Sequence, residues 1–130
     1  MVAKFIAHGK TEIIIEGNII VIRSIGPWNI EYFEGLHQDI LSAVSQVDIN
    51  NYVVLLLPIS EAICVAEAFE YHVDFLKQGN AKAIAVNLIG SEVPNITKDL
   101  CQKAYAQADL NFQFFYSDES AKAWLQHQLA

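Results

Sequence analysis

The stretch Lys10–Ser24, KTEIIIEGNIIVIRS, decides the fold, because it predicts a β-hairpin close to the start of the chain. At its centre, Gly17-Asn18 tolerates the positive φ angles of a two-residue hairpin loop. Pairing outward from this loop places Glu12 beside Arg23 on one face. The opposite face, which we expect to be the core face, carries four isoleucines: Ile13, Ile15, Ile20 and Ile22.

Helix and strand patterns alternate after the hairpin. Apolar runs predict strands at Tyr52–Leu57, Lys82–Leu88 and Phe112–Tyr116. Pro58 is expected to end the first of these strands. Four helices are predicted. The first runs from an N-cap at Asn29 to about Gln46, and the second from an N-cap at Ser60 to about Gln78. The third runs from Pro94 to about Ala108, and the fourth follows an N-cap at Ser117. The order ββαβαβαβα predicts an α/β fold. Its mixed five-stranded sheet is parallel except at the hairpin, with four helices on both faces.

Length and composition indicate one domain, residues 1–130, with a sizeable core. The formal charge is −7 and there is a single arginine, so nucleic acid is an improbable partner and anionic membrane surfaces are disfavoured. The apolar run in Met1–His8 is too short for a signal sequence, and the longest apolar run, Tyr52–Ile59, is far too short to cross a membrane. We therefore predict a cytoplasmic protein, in which Cys64 and Cys101 are reduced packing residues.

Four features carry a resemblance to a known family: the order of elements, the turn Gly26-Pro27-Trp28-Asn29, the strand Lys82–Val86 and the ending Tyr116–Leu125. Together they resemble the SpoIIAA-like family of small bacterial proteins, which are relatives of STAS domains and similar in fold to CRAL-TRIO lipid-transfer domains. The resemblance implies a STAS-like α/β domain. Most members of the group have no assigned activity, whereas better-known STAS relatives bind partner proteins, some under the control of a phosphorylated serine.

Ser60 is the position at which the resemblance would place that phosphorylated serine. The STAS pattern there is Asp-Ser followed closely by glycine, whereas this chain reads Pro58-Ile59-Ser60-Glu61-Ala62-Ile63. We interpret Ser60 as a helix N-cap, and keep a phosphosite as the minor alternative.

No motif for catalysis, metal binding or phosphate binding is present. The four histidines lie on different elements, and His37 and Asp39, at i and i+2 of a helix, point apart. Ser91 follows Gly90 but lacks the second glycine of a nucleophile elbow. We predict no cofactor, no metal and no catalytic residue.

A candidate ligand crevice is predicted beyond the carboxyl ends of the strands, where open α/β sheets bind ligands. Its residues would be Trp28, Asn29, Ser60, Ser91 and Ser117. The alternative is that Trp28 closes the core and that the polar residues are helix caps.

The predicted second helix carries two apolar stripes. The stripe expected to face the sheet is Ala62, Val65, Ala66, Phe69, Val73 and Leu76. The second stripe, here called the α2 strip, is Cys64, Ala68, Tyr71 and Phe75. Either another element of the chain covers the α2 strip, or it is exposed and forms a dimer or partner interface.

These observations predict a non-enzymatic protein-interaction or regulatory module, which could be a homodimer. The alternative is a carrier or sensor of a small apolar or lipid-like ligand bound at the strand carboxyl ends. An enzyme ranks third, because the predicted crevice offers hydroxyls and amides but no base paired with a nucleophile.

Overall fold

The computed structural model describes residues 7–130, so most of the Met1–His8 segment lies outside it. The strands are β1 Lys10–Glu16, β2 Ile19–Ile25, β3 Val53–Ile59, β4 Ile84–Asn87 and β5 Phe112–Phe115. The helices are α1 Ile30–Val44, α2 Ala66–Leu76, α3 Pro94–Gln107 and α4 Asp118–Gln128, with a 3-10 turn at Leu88–Gly90. The predicted fold class and the order ββαβαβαβα are confirmed.

The sheet order follows the chain, β1-β2-β3-β4-β5, with β1 antiparallel to β2 and the other pairs parallel. Each crossover advances by one strand in the same direction, so α1, α2 and α3 pack on the same face of the sheet. Helix α4 packs on the other face, where Ala121 and Leu125 are fully buried against β2, β3 and β4. The expectation of helices on both faces is confirmed.

The hairpin has the predicted register. Ile13 pairs with Ile22 and Ile15 with Ile20, and this face packs into the core beneath α1. Glu12 pairs with Arg23 on the other face, with 3.6 Å between their charged groups. Pairing outward from a two-residue Gly-Asn loop was therefore sufficient to predict this register.

Pro58 does not end β3, contrary to the prediction. The strand continues to Ile59, with Pro58 paired to Ser24 of β2. Backbone groups alternate in direction along a strand: Val54 bonds toward β4 and Ile59 toward β2, so the backbone of Pro58 faces the β4 side. The β3–β4 pairing stops at Leu56, and the missing N–H of Pro58 therefore breaks no ladder bond.

The prediction that Ser60 caps α2 is wrong. Helix α2 begins at Ala66, and its N-cap position, Val65, makes no side-chain capping bond. The intervening chain runs alongside the segment that follows β2, because Gly26 N–H donates to the Ile59 carbonyl and Trp28 N–H to the Ile63 carbonyl. A Cβ on Gly26 would clash with the carbonyl oxygen of Glu61, so only glycine permits this approach. Because this segment is paired with the chain that follows β2, helix α2 begins six residues after Ser60.

The other three predicted caps and starts are confirmed. Asn29 and Ser117 accept backbone N–H bonds at the starts of α1 and α4, and Pro94 occupies the first turn of α3. Strand β4 is shorter than predicted, Ile84–Asn87 instead of Lys82–Leu88, because Asn87 caps the 3-10 turn that follows it.

Candidate functional site

The predicted crevice residues lie near the carboxyl ends of the strands, but as parts of paired turns and caps. Trp28 is buried, at 9% exposure, and pairs with Cys64 through a β-bridge, while Ser60 pairs with Ser91 in the same way. Ser117 caps α4, on the opposite face of the sheet from α1. The strand order never reverses, so the topological opening that creates such crevices in doubly wound sheets is missing.

The hydroxyls of Ser91 and Thr97 at this edge are engaged in structural hydrogen bonds. The Ser91 hydroxyl lies 2.8 Å from that of Thr97 and accepts the Val93 N–H at 3.1 Å. Thr97, fully buried, also donates to the carbonyl of Ala62 at 2.9 Å, which ties α3 to the segment before α2. None of these partners is a base that could activate a serine nucleophile.

A partly open cavity of about 110 Å³ lies between the sheet and helices α1, α2 and α3. Its walls are mostly apolar and include Trp28, Leu36, Leu56, Ile84 and Ala104, with His72 among them. Ligand pockets of drug-sized molecules start at roughly 300 Å³, so this space holds only a small molecule as it stands. This cavity therefore lies between the helices and the sheet, and not at the strand ends.

A pair of histidines, of which His37 is buried and His72 half-buried, lies at the α1–α2 contact beside the cavity. His37 Nε2 and His72 Nδ1 are 2.8 Å apart, and the His37 ring stacks on Phe75 with 3.8 Å between ring centroids. Burial lowers the pKa of His37 to about 4 and that of His72 to about 3, with the neighbouring His37 adding to the effect on His72. Both rings are therefore neutral at pH 7.

Sequence reasoning missed this pair, because the two residues are 35 positions apart and only tertiary packing joins them. A signal was nonetheless present: His37 follows Phe33 by four residues and His72 follows Ala68 by four, which places each histidine on an apolar helix face. A histidine at such a position needs a buried hydrogen-bond partner, and here each supplies the other.

The α2 strip lies largely beneath helix α1. Ala68 is fully buried in the core, Cys64 and Phe75 are half-buried, and Tyr71 retains 40% exposure while stacking on His37. Three residues of the strip are therefore covered by the rest of the chain, as the first alternative predicted. Within the strip, only Tyr71 presents a substantial surface to a partner.

The stripe expected to face the sheet does so only in part. Val73 is buried, and Phe69 and Leu76 are half-buried against the same cluster. Ala62 is fully buried but precedes the helix, whereas Val65 is 67% exposed and Ala66 is also exposed. The late start of α2 explains the difference, because positions before residue 66 do not follow the helical period.

Both cysteines are free thiols that line the cavity. Burial raises the pKa of Cys64 to about 11 and that of Cys101 to about 12, so both remain protonated at neutral pH. They pack as small apolar groups and do not present a nucleophile.

A further feature that sequence reasoning missed is an apolar surface at the carboxyl edge of the sheet. Val65 precedes α2, Ile89 follows β4, Ile96 lies in the first turn of α3 and Tyr116 follows β5. Their side chains are 67%, 69%, 54% and 58% exposed, in that order. We call these four residues the carboxyl-edge patch. Exposed carboxylates flank it: Glu61, Glu92, Asp118 and Glu119.

Within residues 7–130, no helix has the length and apolar character that crossing a membrane requires. The same part of the chain contains no group of three or more His, Cys, Asp or Glu side chains placed to hold a metal ion.

These features define a SpoIIAA-like α/β fold, and solved structures confirm the resemblance at that level. One is an uncharacterised protein of the DUF3478 family with a SpoIIAA-like fold from Shewanella loihica. It is 16% identical, with a TM-score of 0.65 over 96% of this chain and 99% of that one. Another is an anti-sigma factor antagonist from Mycobacterium paratuberculosis, 10% identical, with a TM-score of 0.51 over 91% and 94%. No protein-family model and no curated protein sequence matches the chain.

Proposed function

We propose that this protein is a non-enzymatic interaction or regulatory module that binds a partner protein through the carboxyl-edge patch. The exposure of its four apolar side chains carries the proposal, because all four follow the carboxyl ends of the parallel strands β3, β4 and β5, and exposed apolar groups that share one edge of a protein are typical of interaction sites. The fold shared with an anti-sigma factor antagonist supports an interaction role.

The flanking carboxylates indicate the chemistry of the partner. A partner surface with an apolar centre and a basic rim would complement Ile89 and Tyr116 together with Glu92 and Asp118. A second copy of this chain is a poorer occupant of the patch, because the acidic rims of the two copies would face each other. A homodimer therefore remains only a proposal for another surface, of which Tyr71 is the exposed part of the α2 strip.

We also infer that the protein works without catalysis and in the cytoplasm. The hydroxyls of Ser91 and Thr97 at the carboxyl edge are engaged with structural partners. Two free thiols with raised pKa values suit a reducing compartment.

Site-specific photo-crosslinking tests the proposal. A photoreactive amino acid at position 89 or 116 is expected to capture a partner in cells, whereas the same group at Leu41 or Ile14 is not. These two are matched controls, since they are 56% and 54% exposed and lie elsewhere on the surface.

The captured partner, once purified, is then titrated against variants of the full chain. Replacing both Ile89 and Tyr116 by serine is expected to weaken binding at least thirtyfold, since the loss of even one central contact costs about 2 kcal/mol. The control pair Leu41→Ser and Ile14→Ser is expected to change it less than threefold. Equal capture at all four positions, or binding that survives the first double variant, would contradict the proposal.

The second candidate function is that of a carrier or sensor of a small apolar ligand, and the cavity favours it. The ligand would lie between the sheet and the helices instead of at the strand ends. Native mass spectrometry of the purified protein discriminates between the two: a bound small mass supports the carrier, and its absence together with a defined protein complex supports the interaction module.

A further inference from the structure

Two polar groups of residues in the cavity wall make no hydrogen bond within the described part of the chain: the buried indole N–H of Trp28 and the Nε2 of His72. The Ser24 hydroxyl, in the cavity wall, lies 2.5 Å from the Tyr32 hydroxyl, and the Tyr52 hydroxyl accepts the Asn80 N–H at 3.4 Å. His72 also lines the cavity, but among the described residues its Nδ1 bonds to His37 and its Nε2 has no partner.

The histidine pair lets His72 present either a donor or an acceptor. If His37 Nε2 carries the shared proton, then neutral His72 holds its own proton on Nε2 and donates through it. If His72 Nδ1 carries the shared proton, its Nε2 is an acceptor. The choice between these tautomers costs little, because both keep the bond between the rings and leave both rings uncharged.

We propose that the cavity is a binding site for a small uncharged molecule, about the size of one aromatic ring, whose single hydrogen-bonding group is recognised by His72. An apolar cavity of about 150 Å³ holds benzene, so about 110 Å³ suits a ring-sized molecule with slight adjustment of the walls. The ligand is uncharged, because an ion in this apolar cavity would lose its hydration without a counter-charge. The proposal deepens the second candidate function and is independent of the carboxyl-edge patch.

The test uses three probes: phenol, toluene of nearly the same size, and benzoate as the charged analogue. Phenol and toluene are expected to bind the wild-type protein at pH 7, measured by protein NMR titration, and benzoate is not. Phenol is expected to shift the Nε2 resonance of His72 in a nitrogen-detected spectrum while leaving that of His127, which is exposed on α4, unchanged.

Two variants locate the site and its polar group. His72→Phe keeps an aromatic ring but removes the nitrogens, so the affinity ratio of phenol to toluene is expected to fall about tenfold. Ala104→Leu fills the cavity and is expected to abolish binding of both probes. Circular dichroism checks the fold, and Ala81→Leu, in the cavity wall at a less buried position, replaces Ala104→Leu if that variant does not fold.

Several results would overturn the proposal. Wild-type protein that binds neither phenol nor toluene has no such site. An unchanged His72 resonance, or an unchanged phenol preference in His72→Phe, removes His72 from recognition. Binding that survives both filling variants places the probes elsewhere, and tight binding of benzoate contradicts an uncharged ligand. The Ile89→Ser, Tyr116→Ser variant is expected to bind phenol normally, which separates this proposal from that of the protein partner.

Discussion

Mild acid should destabilise this protein through the histidine pair at the α1–α2 contact. An ordinary imidazole has a pKa of 6.5, whereas burial lowers the pKa to about 4 for His37 and about 3 for His72. Between these pKa values and 6.5, the two imidazoles therefore bind protons in the unfolded chain but not in the folded protein. The stabilisation from the neutral pair is complete above pH 6.5 and is lost progressively as the pH falls toward 4 and 3.

The magnitude follows from the width of this pH window. At pH 4.5 the unfolded imidazoles are protonated while the folded ones remain largely neutral, and each pKa unit corresponds to roughly 1.4 kcal/mol. Two units at two sites give an upper limit of about 5 kcal/mol. Because the rings are stacked at the α1–α2 surface next to partly exposed Tyr71, we expect about 3 kcal/mol for the pair.

Urea unfolding at pH 7.5 and 4.5 measures this loss. The double variant His37→Phe, His72→Phe keeps two aromatic rings at the α1–α2 contact but cannot titrate. Its free energy of unfolding should therefore fall by about 3 kcal/mol less than that of the wild type over the same pH interval. His127→Gln, at an exposed position of α4, is the matched control and should behave as the wild type. Equal losses in the wild type and the double variant would refute the reasoning, and would assign acid sensitivity to the carboxylates.

Three further outcomes are expected in urea unfolding at pH 7.5. Ser117→Ala should lower the free energy of unfolding by about 1 kcal/mol, because it removes a helix cap, whereas Ser60→Ala should change it by less than about 0.5 kcal/mol. Similar losses in both variants would contradict the assignment of caps. Leu125→Ala should lower the free energy of unfolding by about 3 kcal/mol, because this α4 side chain is fully buried against the sheet. A loss under about 1 kcal/mol would mean that α4 is not firmly packed. Arg23→Ala should lower the free energy of unfolding by less than about 0.5 kcal/mol, because the ion pair of Arg23 with Glu12 is exposed. A larger loss would show that Arg23 has a role beyond that ion pair.

The sequence was sufficient for those parts of the fold that depend on local period and chemistry. The two-residue loop Gly17-Asn18 predicted the hairpin register, and the caps Asn29 and Ser117 predicted the starts of two helices. Pro58 was misjudged because its effect depends on which neighbouring strand its backbone faces. That property appears only when β3 and β4 have been paired.

The candidate sites were harder to predict, because each is assembled from distant parts of the chain. His37 and His72 come from different helices, and the cavity exists only between three helices and the sheet. The sequence could show apolar residues in excess, but it could not show whether they would fill the interior, leave a cavity or face solvent. The α2 strip illustrates this: the same spacing fits a dimer interface or the contact with α1 that the structure contains.

Ser60 shows why a regulatory role cannot be transferred from the fold alone. A phosphate on a serine at the N-terminus of a helix gains hydrogen bonds from the free N–H groups and from the helix dipole. Here α2 starts only at Ala66. Ser60 adopts φ 62°, its N–H donates to the Gly90 carbonyl, and its own carbonyl accepts from Ala62 and Glu92. A phosphate at Ser60 would therefore lack the helix terminus that stabilises it, and would add charge beside the exposed carboxylates of Glu61 and Glu92. Modification of Ser60 remains a prediction from the resemblance, and if it occurs it would act by repelling an acidic partner surface or attracting a basic one at the carboxyl-edge patch.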